Sequence, residues 1–370
     1  MMDRPPSASS TTLGALLARR LRPRNSTPAP SLPLPDEPGL ALWQEWAEEA
    51  RSAGVFATLV RHLPQLAFPI REGIGQEPSY RAATLRGTPT TEIPEATGLD
   101  LARPESLELE IYPSPAGRVP MLIARHRGDF ERLLQALARR NEPSPVPAAQ
   151  GALAVAGYNN WARLHRLRRE WQQAPPPKAA TWEEELARLK ATPELYQDRF
   201  ILLSDGPYSA VSAAELGLTE PEWRERSLAL RRAHEACHLF TRRLYGSMAN
   251  HPLDELIADY CGLVAAFGRF EARWFLRFLG LESLPALRPD GRFTLYCGSP
   301  PLEESERREL AEVVARAAHQ VEAFDRATSP ERPRTAAELG RTIETLATYT
   351  LPELAEEGAP ALLSALLLAG

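Results

Sequence analysis

The chain has 370 residues, 44% hydrophobic and 25% charged, the balance of a globular protein long enough for one large domain or two medium ones. A formal net charge of −5 argues against nucleic acid as a partner, because phosphate-binding surfaces need clustered cations. Three cysteines without a C-x-x-C pair exclude a disulfide framework and a thiolate zinc finger, and they suit a reducing compartment.

Residues 1–37 are rich in Ser, Thr and Pro. Their one apolar stretch, Leu13 to Ala18, is followed by most of the local arginines instead of being preceded by them, the opposite polarity to a secretory signal. This segment reads as a disordered tail, and the protein is expected in the cytoplasm. Leu40 to His62 carries Trp43, Trp46, Ala50, Val55 and Leu59 near helical spacing. Leu107 to Tyr112 alternates apolar with polar residues, as a half-buried strand does; Pro115 to Arg118 is a turn and Val119 to Ala124 a return strand. Asp129 to Arg140 places Phe130, Leu133, Leu134 and Leu137 on one helical face.

Ala148 to Gln173 reads as a further helical block, with Tyr158-Asn159-Asn160-Trp161 as a packed helix start more than a cleft lining. The basic run Arg166-Leu167-Arg168-Arg169 is then a solvated helix face. Pro175-Pro176-Pro177 breaks the chain and marks the expected domain boundary. After a short strand, Phe200 to Leu203, the pattern is helical over 220–245, 252–279, 302–327 and 335–348. The longest apolar run, Ala361 to Ala369, is well short of the roughly 20 residues a spanning helix needs, so no membrane partner is expected. The fold class is therefore α+β and mainly helical: a tail at 1–37, a smaller α/β region at 38–174 and a larger domain at 175–370.

The chemistry concentrates in two of those helices. His234-Glu235-Ala236-Cys237-His238 is an H-E-x-x-H motif inside a helix that opens on Thr219-Glu220-Pro221-Glu222, a capping box, and closes at Gly246. Residues four apart share a helical face, so both imidazoles can aim at one ion. A catalytic zinc site takes a third protein ligand and leaves a position open for water. On the next helix, Glu255 fits as that ligand. Asp259, one turn further, fits as the acceptor that fixes the other ring N–H of His234.

This pattern resembles the gluzincin metallopeptidases, in which H-E-x-x-H is followed by E-x-x-x-D, and Glu255-Leu256-Ile257-Ala258-Asp259 is similar to the E-x-x-A-D form of the neprilysin-like members. The resemblance covers about residues 220–262. It implies a zincin-like catalytic domain with an active-site helix and a following ligand-bearing helix, Zn2+ as cofactor, a peptide or protein substrate, and Glu235 as general base. Ser204-Asp205-Gly206-Pro207-Tyr208 and Asp254 to Gly262 are also similar to an uncharacterised bacterial family with the same motif, which brings no substrate. A metzincin is excluded by Thr241 and Leu244, where that group has Gly and His. A di-iron bundle is excluded because only Glu235 and His238 supply a Glu-x-x-His pair.

The expected function is a zinc-dependent peptidase. A zinc hydrolase acting on another bond and a non-catalytic zincin-like sensing or scaffold domain remain as alternatives. The candidates for stabilising the transition state are Tyr260, Tyr296, His319 and Tyr349. His251, in a loop before Pro252, ranks below Glu255 as a ligand, and Asp205 to Tyr208 reads first as a turn.

Overall fold

The computed structural model describes residues 12–23, 27, 31–175, 181–246, 251–330 and 332–369. In chain order these form α1 (Leu13–Ala18), α2 (Leu40–Ala53), α3 (Val55–Leu59), α4 (Pro78–Arg86), β1 (Leu107–Ser114), β2 (Gly117–Ala124), α5 (Arg127–Ala138), β3 (Ala152–Asn159), α6 (Trp161–Gln173), α7 (Trp182–Lys190) and β4 (Gln197–Ser204). The rest is helical: α8 (Glu220–Tyr245), α9 (Pro252–Phe267), α10 (Ala272–Leu279), α11 (Glu304–Thr328), α12 (Ala336–Ala347), α13 (Leu351–Leu354) and α14 (Ala359–Ala369). The chain is α+β and mostly helical, as expected, and its described residues hold one four-stranded sheet. None of the described helices is long and apolar enough to cross a membrane.

Two compact units divide the chain. A sheet unit holds Asp36–Pro113 and Gly117–Gly206; a helical unit holds Pro207–Gly370 with Ser114–Ala116 and the N-terminal segment to Pro35. The division at Gly206 corrects the boundary expected at the triple proline, of which Pro176 and Pro177 lie outside the described residues. The physical reason is β4. It pairs in parallel with β2, Met121 opposite Ile201, and antiparallel with β3, Ala154 opposite Ile201. A central strand cannot leave its sheet. Buried on both faces, Phe200 to Leu203 is a continuous apolar run instead of an alternating one.

In the sheet unit, Trp43 and Trp46 of α2, Leu122 of β2, Phe130 and Leu134 of α5 and Phe200 of β4 form the core. The expected helical block at 148–173 is instead β3 followed by α6. Pairing with β4 gives β3 its backbone partners. Gly157, at φ +81 in the register shift between Val155 and Tyr158, takes a conformation no helix interior allows. Asn160 then caps α6 by accepting from Arg163 N. Beside it, the buried Asp198 accepts from Trp43 Nε1 at 2.9 Å, Asn160 Nδ2 at 2.5 Å and Arg163 Nη1 at 3.2 Å. A Cβ at Gly39 would stand 2.4 Å from Asp198 Oδ1, so that network requires glycine there.

In the helical unit, α8 carries both halves of the Thr219–Glu222 capping box and ends at Gly246, φ +68. Residues 252–263 of α9 are all buried, which makes it the central helix of this unit. A Cβ on Gly262 would lie 2.9 Å from the Leu230 side chain and 3.0 Å from its carbonyl oxygen, so α9 approaches α8 as closely as backbones without a side chain allow. The expected single helix over 252–279 is two, because Gly268 (φ +79) ends α9 before α10 begins. The disordered tail expected at 1–37 is corrected over 12–23. There Thr12 caps α1, Leu16 and Leu21 are buried, Arg19 pairs with Asp254 at 3.1 Å, and Arg22 N donates to Ala347 O. Two buried leucines and two arginines with buried partners hold what composition alone would leave loose. Residues 1–11 lie outside the described residues.

Candidate metal centre

His234 and His238, one turn apart on α8, bring their Nε2 atoms within 3.0 Å of each other. Glu255 of α9 sets Oε2 3.7 Å from His234 Nε2 and Oε1 3.5 Å from His238 Nε2. All three side chains are buried, and their ligand atoms lie within 4.8 Å of one another. Zn–N bonds run about 2.0–2.1 Å, so nitrogens this close can share one ion without moving a helix.

The hydrogen bonds around His234 decide which of its nitrogens is free. Its Nδ1 lies 2.8 Å from Asp259 Oδ1 and 2.9 Å from the Tyr208 hydroxyl. Tyr208 donates its own proton to Asp259 Oδ1 at 2.5 Å and accepts from Arg292 Nη1 at 2.9 Å. Both neighbours of Nδ1 are therefore acceptors towards it, so Nδ1 carries the hydrogen and Nε2 keeps its lone pair towards His238. Arg292 also donates Nη2 to Asp259 Oδ2 at 2.5 Å and stacks its guanidinium over the Tyr208 ring, 4.8 Å from the centroid. Tyr296, four residues on, donates to Glu255 Oε2 at 3.0 Å.

The Tyr208 segment is itself pinned. Tyr208 N donates to Ser227 Oγ and Val211 O accepts from Trp223 Nε1, both residues of α8, while Ser209 and Ala210 between them hold φ of +53 and +56. Non-glycine residues at such angles mark a segment over-determined by its surroundings, a feature that gathers at functional sites.

The electrostatics of the cluster favour positive charge. Burial alone would lower the His238 pKa, but Glu255, with Glu235 and Asp254, raises it to about 9. Burial likewise pushes Glu255 up, yet His238, His234 and Arg292 hold it well below the usual carboxylate range. Asp259 is held low against the same burial cost by Arg292 and His234. Burial raises both phenols, Tyr208 and Tyr296, and they stay O–H donors.

Glu235 acts on this cluster through its charge alone. It is half-buried on α8 and makes no hydrogen bond or ion pair with any described residue.

Of the four transition-state candidates, Tyr296 is the one with a hydrogen bond to the cluster that the structure shows, through Glu255. Tyr260 is buried but donates to Asp325, which also binds Phe270 N and Arg334, so it belongs to a separate structural network. The His319 side chain is 60% exposed beside Glu322 on α11. Tyr349 follows α12, where its backbone N donates to Leu346 O. His251 is no ligand: its Nε2 donates to Leu16 O and its Nδ1 accepts from Leu253 N, capping α9. The turn at Asp205 to Tyr208 proves to deliver Tyr208 into the site. Sequence reasoning missed that role and missed Arg292 altogether. The one signal for Arg292 is that a buried Asp259 needs a cationic partner, and that requirement does not say which of many arginines supplies it.

Fold and site define an α+β protein with a buried His–His–Glu group that could hold a metal ion. The chain belongs to a family of unknown function (DUF7005), which it matches over residues 7–358. No curated protein and no solved structure matches it.

Proposed function

We propose that this protein is a zinc-dependent peptidase of the gluzincin type, with His234, His238 and Glu255 holding the ion, Glu235 as general base and Asp259 orienting His234. One observation carries the reading. Two imidazole nitrogens face each other at 3.0 Å with a carboxylate alongside, while the neighbouring Glu235 is left without a partner. Such proximity is repulsive unless a proton or a cation lies between the nitrogens. A purely structural ion has no use for a spare carboxylate beside it.

Two nitrogens and one oxygen form a donor set suited to zinc, and three protein ligands leave a coordination position open. When bound, the ion would supply Lewis acidity, polarising a carbonyl and lowering the pKa of an adjacent water towards about 7. Glu235 then takes that water's proton and returns it to the leaving nitrogen. Asp259 and Tyr208 keep the His234 hydrogen on Nδ1, and Tyr296 holds the Glu255 carboxylate in place. The zincin-like reading extends only to the α8–α9 pair, since the sheet belongs to the other unit.

The test is native mass spectrometry of the purified chain together with cleavage of a broad peptide library. About one zinc per chain and cleavage that disappears in Glu235→Gln are expected. Absence of any transition metal, or full metal retention in His238→Ala, sinks the metal assignment. One zinc per chain with the library left intact rejects the peptidase and points to another bond or to a sensing role.

A further inference from the structure

The sheet unit carries a feature the metal centre does not use. A cleft of about 650 Å³ opens between α4 and β3, and its lining comes from the sheet unit alone. Six consecutive residues of β3, from Ala154 to Asn159, line it. Successive side chains of a strand point to opposite faces of the sheet, so a lining of six in a row, even with the bulge between Val155 and Tyr158, includes the strand's backbone edge. In the order β1-β2-β4-β3, β3 is the outer strand, and its free edge makes no backbone hydrogen bond to any described residue.

Exposed edges are usually blunted by charge, by proline, by a bulge or by a covering element. The strand Ala152-Leu153-Ala154-Val155-Ala156-Gly157-Tyr158-Asn159 contains neither a charge nor a proline; its one such device is the bulge between Val155 and Tyr158, where Ala156 and Gly157 are exposed, and Ala152 to Val155 before it keep a regular register. The cleft also has a sign. Arg81 and Arg140 line it, and no Asp or Glu does. The Arg140 guanidinium makes no hydrogen bond or ion pair with any described residue. Arg140 and Asn141 hold φ of +54 and +60, fixed in place by Asn141 Nδ2 donating to Gln65 O and Phe68 O. Gln65 itself, 7% exposed, lines the cleft, and its buried Oε1 has no donor among the described residues.

We propose that this cleft binds an extended acidic peptide segment, which adds to β3 as a further strand with its carboxylates towards Arg81 and Arg140. Main-chain bonds to the strand edge give such binding its affinity, and the arginines select for acidic side chains. The proposal stands on the sheet unit alone and holds or fails independently of the metal.

The probe is a fluorescein-labelled peptide alternating valine with glutamate, titrated into the full-length protein by fluorescence anisotropy, its integrity checked by mass spectrometry. Saturable binding is expected, roughly tenfold weaker in the Arg81→Ala/Arg140→Ala double variant, since each charge-assisted bond is lost with its arginine. The valine–lysine counterpart should bind more weakly than the glutamate peptide. N-methylation of alternate peptide bonds should abolish binding in one of the two possible registers, and hydrogen exchange should slow at the β3 amides. No saturable binding, equal affinity for the glutamate and lysine peptides, or unchanged affinity after N-methylation in both registers overturns the proposal.

Discussion

Each unit of the molecule buries a carboxylate network, and the two differ in one respect. In the sheet unit, Asp198 takes Arg163 on one oxygen and Trp43 and Asn160 on the other. Burial raises its pKa against those donors, and no partner is left short. In the helical unit Asp259 is equally saturated, by Tyr208, His234 and Arg292. One bond further on, however, two imidazole nitrogens and a Glu255 oxygen converge on a common point, where the raised pKa of His238 keeps a single proton among them. Saturation marks a network that holds a fold together. Convergence of three metal-ligating atoms around a proton that a cation can displace marks one that could hold an ion.

The largest expected effect lies on the convergent side. Glu235→Gln should keep fold and zinc while turnover of a cleaved peptide falls by roughly 10²–10⁴-fold, because proton transfer alone is removed. Glu255→Ala should instead lose the metal. Equal zinc loss in both variants would make Glu235 structural and erase the contrast.

Nearly as large is the effect on the saturated side. Asp198→Ala leaves the Arg163 guanidinium buried without its charge partner, which costs about 3–5 kcal/mol. Urea unfolding should report that loss, with the metal content of the folded fraction unchanged. Metal loss in this variant would break the division between the two networks.

His251 offers a smaller test, through pH. Burial, helped by the Arg19 charge, depresses it to about 4, so the folded state keeps the ring neutral between Leu16 O and Leu253 N. An unfolded histidine titrates near 6.5, so below that pH the unfolded chain takes up the proton first. Its contribution is complete above about 6.5 and is lost as pH falls towards 4, by at most about 3 kcal/mol. His251→Asn, which can still cap α9, should remove that part of the acid sensitivity in paired unfolding curves; parallel curves for the two proteins would refute it.

The smallest effect sharpens the comparison. Asp259→Asn should weaken zinc binding by roughly 10- to 100-fold without unfolding the chain, because the ion is still held but His234 is no longer oriented. A competition titration with a chelator measures this. Unchanged affinity would show that Asp259 belongs with Asp198 as a purely structural group.

The readable parts of this chain share one property: their signals are local. The 220–245 helix was legible from its capping box, its proline and its terminal glycine, and the pairing of His234 with His238 and of Glu255 with Asp259 followed from helical period. The hairpin strands β1 and β2 were legible from alternation and a turn. β3 was not, because its small residues carry no clear period and only the partner strand decides its conformation. The Pro-rich N-terminal segment misled for the same reason. Leu16, Leu21 and Arg19 look dispensable until Asp254 and the rest of the helical unit lie beside them.

What the sequence by itself determined is therefore the donor set: two histidines, a glutamate and an aspartate at spacings that any helix turns into shared faces. Only the tertiary structure decided that these faces meet, that Gly262 lets them meet closely, and that Tyr208 and Arg292 set the proton on His234. Those partners come from 26 positions before His234 and 33 positions after Asp259. Across such separations no periodicity relates one residue to another. Contact is set by packing, and packing is a property of the folded chain as a whole.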